Sequence, residues 1–287
     1  MEKLSNKDKI SCLIRLIDDR DPFIRNRVRE ELLEIGEDAI PFLEMAARQE
    51  DPGLSLLARK ILSDLLPIQL TNRFRQLQQP GGDIDLEKGV FLLMQYGYPD
   101  ANPAKYSAIL DLLAQEVGSR IPVGASSEKT VEILTDFLSR EKGFCGNKKV
   151  YFSPDNTFFN KVLEEKTGIP ISISILYIFV AARLGIPVYG VGMPCHFIVK
   201  YEAPGNPIYF DPFHNGNLLS REDCVQMAES FGLKFEEHFL CQSSNREILV
   251  RMINNLIMVY GKTSELDKVN QLGEYVRILT QPRKRVY

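Results

Sequence analysis

Chemistry that depends on histidine or cysteine has few possible addresses here, because 287 residues hold only three histidines and five cysteines. The histidines are His196, His214 and His238, and the cysteines are Cys12, Cys145, Cys195, Cys224 and Cys241. No CxxC pair and no metal-site spacing occurs among them, so neither a bound metal nor a cofactor is expected. His196 opens an apolar, β-branched run, Phe197 to Tyr201, and Asp211 follows a second, Ile208 to Phe210, across a turn-forming stretch, Ala203 to Pro207. A hairpin closing around Gly205 brings His196 and Asp211 to the same end of a sheet. Whether they share a face depends on register, since a slip of one residue turns one of them away. On a shared face, Asp211 holds the His196 ring by its second nitrogen, the orienting role of the acid in nucleophile–His–Asp catalysis. Cys195 adjoins His196, and neighbours on a strand point to opposite faces, so without a bulge this thiol is not activated by that ring. His214, before Asn215-Gly216, reads as a turn residue, and His238, beside Glu236-Glu237, as a surface or packing residue.

These residues are framed mainly by helices. From about 6 to 66, apolar residues recur at helical spacing (Leu13, Leu16, Ile17; Ile24, Val28, Leu32, Leu33). Asp21-Pro22 and Asp51-Pro52 each offer an N-cap followed by a first-turn proline, and Gly36 ends one helix before Pro41 opens another. The order resembles a HEAT-type repeat, too short for a solenoid and long enough for a helical cap over 1–67. Gln76 to Asp83 (QLQQPGGD) breaks the periodicity. Helical patterns return from Leu86 to Phe137. Gly143 to Asp155 is turn-rich, and 156–216 carries the convincing strands. Ile171-Ser172-Ile173-Ser174-Ile175 alternates as a strand would, but its continuation to Leu184 before Gly185-Ile186-Pro187 predicts one buried helix from Pro170. Two apolar stripes, Ile248 to Tyr260 and Leu266 to Leu279, predict a tetratricopeptide-like hairpin, followed by a basic tail, Arg283-Lys284-Arg285. The expected class is α+β, predominantly helical, with a central helix against a small antiparallel sheet.

Charge excludes some functions. A net charge of −3 gives no electrostatic reason to bind nucleic acid or an acidic membrane. No stretch reaches the about 18 consecutive apolar residues of a membrane span, and the first residues lack a signal-peptide core. An odd number of scattered thiols reads as free cysteines in a reducing compartment. A cytoplasmic protein is expected. Nucleotide-binding words such as GxGxxG and GxxxxGK are absent.

The order helix-GIP, strand opening with His, strand ending in Asp resembles the papain-like transglutaminase core. More closely, the words GN-x3-YFSPDN, GIPIS, PCHF and DPFHNG are similar to those of the bacterial SirB1 family, a transglutaminase-like branch with a two-helix tetratricopeptide-like tail. The resemblance covers roughly 90–281 and implies a core over 84–244 with the tail over 245–287. It places His196 and Asp211 on the family's histidine and aspartate. It places the nucleophilic cysteine, at the start of the central helix, within about two residues of Pro170, where the nearest hydroxyl is Ser172. Cys195 stands where the family usually has glycine. Asn156 is implied as a neighbour of the same cleft, although an N-cap role explains it equally well.

A serine hydroxyl stays protonated near neutral pH and gains little from a helix dipole that would activate a thiol. The first reading is therefore a non-catalytic cleft around His196 that binds a peptide or protein partner, with Asn156 and Cys195 in its walls. The second is a hydrolase or acyltransferase on an amide or ester, using Ser172, His196 and Asp211. The third is a purely structural scaffold.

Overall fold

Side-chain caps open the first helices. Ser5 accepts the N–H of Asp8 at the start of α1 (Asn6–Arg15), and Asp21 accepts that of Phe23 at 2.9 Å at the start of α2 (Pro22–Ile35). Gly36, at φ +71°, ends α2, a backbone turn that costs glycine little. A 3-10 turn then leads into α3 (Ile40–Ala47), with Pro41 in its first turn. Asp51 accepts from Gly53 and Leu54 ahead of α4 (Pro52–Leu77), which runs straight on through Pro67. Missing one N–H at Pro67 does not end the helix there, so the first unit extends beyond 67. The computed structural model describes residues 5–78 and 82–281. The basic tail and part of the glycine-proline break at 76–83 lie outside the described residues.

The chain divides into two compact units, Met1–Gln76 and Leu77–Tyr287. In the first, Ile10, Ile17, Val28, Leu32, Leu43 and Ile61 form one buried cluster. Leu16, expected on the buried stripe, is 42% exposed because α1 has ended before it.

The second unit holds α5 (Leu86–Gly97), α6 (Pro103–Gly118) and α7 (Ser127–Thr135), which passes into a π turn over Asp136–Glu141. Next come β1 (Cys145–Gly146), α8 (Phe159–Glu165), β2 (Thr167–Gly168) and α9 (Pro170–Arg183). Strands β1 and β2 pair in parallel, Cys145 with Thr167 and Gly146 with Gly168. Two-residue strands are too short to show a period, which is why the turn-rich reading of 143–155 misses β1. The alternating Ile-Ser run is helical. Helix α9 is buried on nearly every side, packed against α6 and the sheet, so it has no solvent face for the pattern to reveal.

Strands β3 (Val188–Val191), β4 (Ile198–Tyr201), β5 (Ile208–Asp211) and β6 (Asn217–Leu219) form an antiparallel meander in sequence order. Strand β6 lies past the stretch predicted to hold the strands. After α10 (Arg221–Ser230) comes the predicted hairpin, α11 (Asn245–Lys262) packed on α12 (Leu266–Thr280). Ile248, Leu249, Met252, Ile253 and Leu256 are buried on α11, as are Leu272, Tyr275 and Leu279 on α12. Leu266 is 65% exposed at the helix start. No helix among the described residues is long and apolar enough to cross a membrane. The mainly helical α+β class holds.

Candidate functional site

Four backbone positions hold His196 in place. Its N–H donates to the Met193 carbonyl at 3.3 Å, closing a turn with Pro194 second and Cys195 third. Cys195 has φ +55°, the left-handed geometry that the third position of a type II turn requires. From α11, Nη2 of Arg251 donates to the carbonyls of Met193 at 2.9 Å and His196 at 2.6 Å, fastening both ends of the turn. Strand β4 therefore begins at Ile198, one residue later than the predicted Phe197, and His196 precedes the sheet.

The register decides which way His196 faces. Val199 pairs with Phe210, so Ile198 stands opposite Asp211, and His196, two residues before Ile198, projects to the same side. Its Nε2 lies 2.7 Å from Oδ2 of Asp211. Asp211 ends β5 almost wholly buried, and its Oδ1 accepts the N–H groups of Phe213 at 3.0 Å and His214 at 3.4 Å in a 3-10 turn. The same Oδ2 also lies 2.7 Å from Nδ1 of His214. Burial pushes this carboxyl up, but hydrogen bonds and charge from His196, then from His214, outweigh it and hold the carboxyl below its usual range. An ionised carboxylate only accepts, so each ring presents an N–H to it, and a neutral His196 keeps its Nδ1 lone pair free to act as a base.

His196 lines a cavity of about 260 Å³. Three elements build it. The start of α9 contributes Ile169, Pro170 and Ile171; the 193–196 turn contributes Cys195 and His196; and α11 contributes Arg251, Asn255 and Met258, spaced along one helix face. Tyr151 and Phe197 complete the wall, and burial pushes the Tyr151 phenol up. The reading of Cys195 and His196 as strand neighbours on opposite faces does not hold. The positive φ takes Cys195 out of the extended conformation, and both residues line one cavity.

The other sequence candidates sit elsewhere. Ser172 is fully buried behind the first turn of α9, and its hydroxyl donates to the carbonyls of Asn156 at 2.5 Å and Ile169 at 3.1 Å. His196 is not among its partners. Asn156 knits the 147–156 loop: its amide nitrogen donates to the carbonyls of Val150 and Tyr151, and its side-chain oxygen accepts from Asn147. It does not line the cavity. Cys145 lies in β1, whose Gly146 sits so close to Phe213 that an added Cβ would come within 2.4 Å of the ring.

Two residues carry weight that the sequence did not reveal. His214 joins Asp211 because the DPFH turn folds its ring back on the strand end; the three-residue spacing was the signal. Arg251 stands out as one cation inside the apolar stripe of α11. Ligand atoms of His196, Asp211 and His214 lie within 4.8 Å of one another, and among the described residues no other group gathers three metal-capable atoms this way. The shared oxygen is at hydrogen-bond length from both rings, so the cluster satisfies itself as an Asp–(His)2 network. The arrangement supplies an oriented base in the wall of a cavity, but no thiol or free hydroxyl on the first turn of α9.

A family model described as "Transglutaminase-like superfamily" matches residues 104–254, more than half of the chain. A "UPF0162 protein" of Xylella fastidiosa is 29% identical over 199 residues, 67% of this chain and 71% of that protein. "F-box only protein 21" of Mus musculus is 28% identical over 246 residues, 75% of this chain but 39% of that protein. A "UPF0162 protein" of Vibrio cholerae is 36% identical over 91 residues, 31% of this chain and 33% of that protein. No solved structure matches the chain significantly.

Proposed function

Because the chain belongs to the transglutaminase-like superfamily, we propose that it keeps the superfamily's cleft and its His–Asp pair as a binding site for a peptide segment, without acyl transfer. One observation carries this reading. Where a nucleophile would stand, the start of α9 offers the cavity only Ile169, Pro170 and Ile171, and the nearest hydroxyl, on Ser172, donates to backbone carbonyls. An oriented base with no hydroxyl or thiol to deprotonate at that turn lacks the helix-start nucleophile, and the one thiol in the cavity wall, Cys195, stands on the 193–196 turn instead. The base still presents a hydrogen-bonding group beside an apolar wall, as a recognition pocket needs.

In this reading the chain is a SirB1-type protein, and the α11–α12 hairpin is its tetratricopeptide-like tail. Arg251, Asn255 and Met258 make the hairpin a wall of the pocket as well as a prop for the core. Hydrolysis or acyl transfer through Ser172, His196 and Asp211 requires the serine to give its proton to the ring, and its present hydrogen bonds favour binding over that alternative.

The test presents the full chain with a library of random nonapeptides and repeats the selection with Met258→Trp, which fills the cavity from an exposed position. Peptides that bind the natural chain and fail on the variant support the reading. Turnover of peptide or γ-glutamyl amide substrates, abolished in His196→Ala, overturns it. So does a library that yields no peptide blocked by the variant.

A further inference from the structure

Arg251 is a half-buried cation with no anion beside it among the described residues. Among the described residues it forms no ion pair, and its two hydrogen bonds, to the carbonyls of Met193 and His196, come from Nη2 alone. Its guanidinium lies over the Phe197 ring, 5.5 Å from the centroid. Nε and Nη1 have no acceptor among the described residues, so the guanidinium still has N–H groups to give a carboxylate a single charge-assisted hydrogen bond. A charge partly withdrawn from water and lacking a counter-ion favours an anion placed against it. Burial also lowers its affinity for the proton, with the nearby Cys195 thiol and Tyr151 phenol working against that.

A second, independent feature faces the same space. The cavity wall includes the first turn of α9, and no side chain caps that turn. Its orphan N–H groups form the positive end of the helix dipole. Among the described residues no acidic side chain lines the cavity, so two positive sources converge there without a carboxylate between them. The rest of the wall is apolar apart from Asn255, Tyr151, Cys195 and the His196 ring. One guanidinium amid apolar groups suits a monoanion on an organic residue, whereas a phosphate dianion calls for several cations.

We propose that the cavity is a carboxylate subsite, in which Arg251 takes the carboxylate of a bound peptide, from its C-terminus or from an aspartate or glutamate side chain. This inference rests on the peptide-binding reading above and narrows it to anionic peptides. The bound carboxylate supplies the counter-ion that Arg251 lacks, and the remaining walls hold the apolar part of the same residue.

The test uses peptides selected from the nonapeptide library on the full chain, each resynthesised as the parent, as its C-terminal amide, and with its acidic side chains changed to amides. One neutralised form should bind roughly 10- to 100-fold more weakly, and which form it is identifies the source of the carboxylate. Arg251→Gln should bind the parent as weakly as the natural chain binds the neutralised peptide, with no further loss on neutralisation, and Arg251→Lys should recover part of the affinity. Since neutralising the peptide leaves the protein untouched, the test stands even if an Arg251 variant fails to fold. Peptides that Met258→Trp blocks, yet which bind equally with and without their carboxylates, overturn this inference and leave the peptide-binding reading in place. If the library yields no peptide blocked by Met258→Trp, both fall.

Discussion

Nε2 of His196 and Oδ2 of Asp211 lie 2.7 Å apart across a strand pair whose register puts Ile198 opposite Asp211. The bond survives in a pocket whose helix start offers no nucleophile. An arrangement suited to orienting a base thus also works as a structural clamp, because the carboxylate simultaneously ties the 3-10 turn that follows β5.

The clamp makes stability depend on acid. The Asp211 carboxyl is held below its usual range in the folded state. Its stabilisation is therefore fully present above the unfolded value, about 3.9, and is lost as pH falls through the lower folded value. Urea unfolding should show Asp211→Asn less stable by roughly 1–3 kcal/mol at neutral pH, with the gap closing in strong acid. A gap that stays constant down to pH about 2 refutes this.

A thiol placed at the start of α9 should regain reactivity. In Pro170→Cys the sulfur stands in the cavity wall, at the positive end of the helix and in the cavity that His196 also lines. Its alkylation should proceed below the ordinary thiol value of about 8.5 and slow when His196→Ala is added. Ser172→Cys should stay unlabelled, because position 172 is fully buried behind the turn. Peptide mapping separates these sites from the native cysteines.

Cys195 bears a local cost. A side chain at φ +55° costs about 1–2 kcal/mol relative to glycine, partly offset by the freer unfolded glycine chain. Cys195→Gly should raise the thermal midpoint, and Cys195→Val should lower it, since a β-branched residue fits that conformation worse. A lowered midpoint in Cys195→Gly would show that the thiol contributes more by its contacts than the turn costs.

Gly146→Ala should loosen the clamp from below. The added methyl meets the Phe213 ring at 2.4 Å, in the turn that Asp211 ties down. A loss of about 1–3 kcal/mol is expected, with Phe213→Leu relieving part of it in a double-mutant cycle. Additive effects of the two changes would refute the contact.

The helices, their caps and most of the strands were legible in the chain, because these are short-range properties. Asp21, Asp51 and Gly36 act on their own neighbours, and the α11 stripe repeats every turn. The words around Asn147–Asn156, Gly168–Ser172 and Asp211–Gly216 carried the family likeness for the same reason. Which groups meet in one cavity was not legible. His196 and Asp211 share a face only through the register of two strands, and Cys195 enters the pocket only because one φ angle is positive. Arg251 reads as part of a helix until α11 is packed across the 193–196 turn. Sequence spacing sets periodicity along one segment, whereas a site is a juxtaposition of several segments. Only long-range packing, which chooses one register and one set of faces, could decide it.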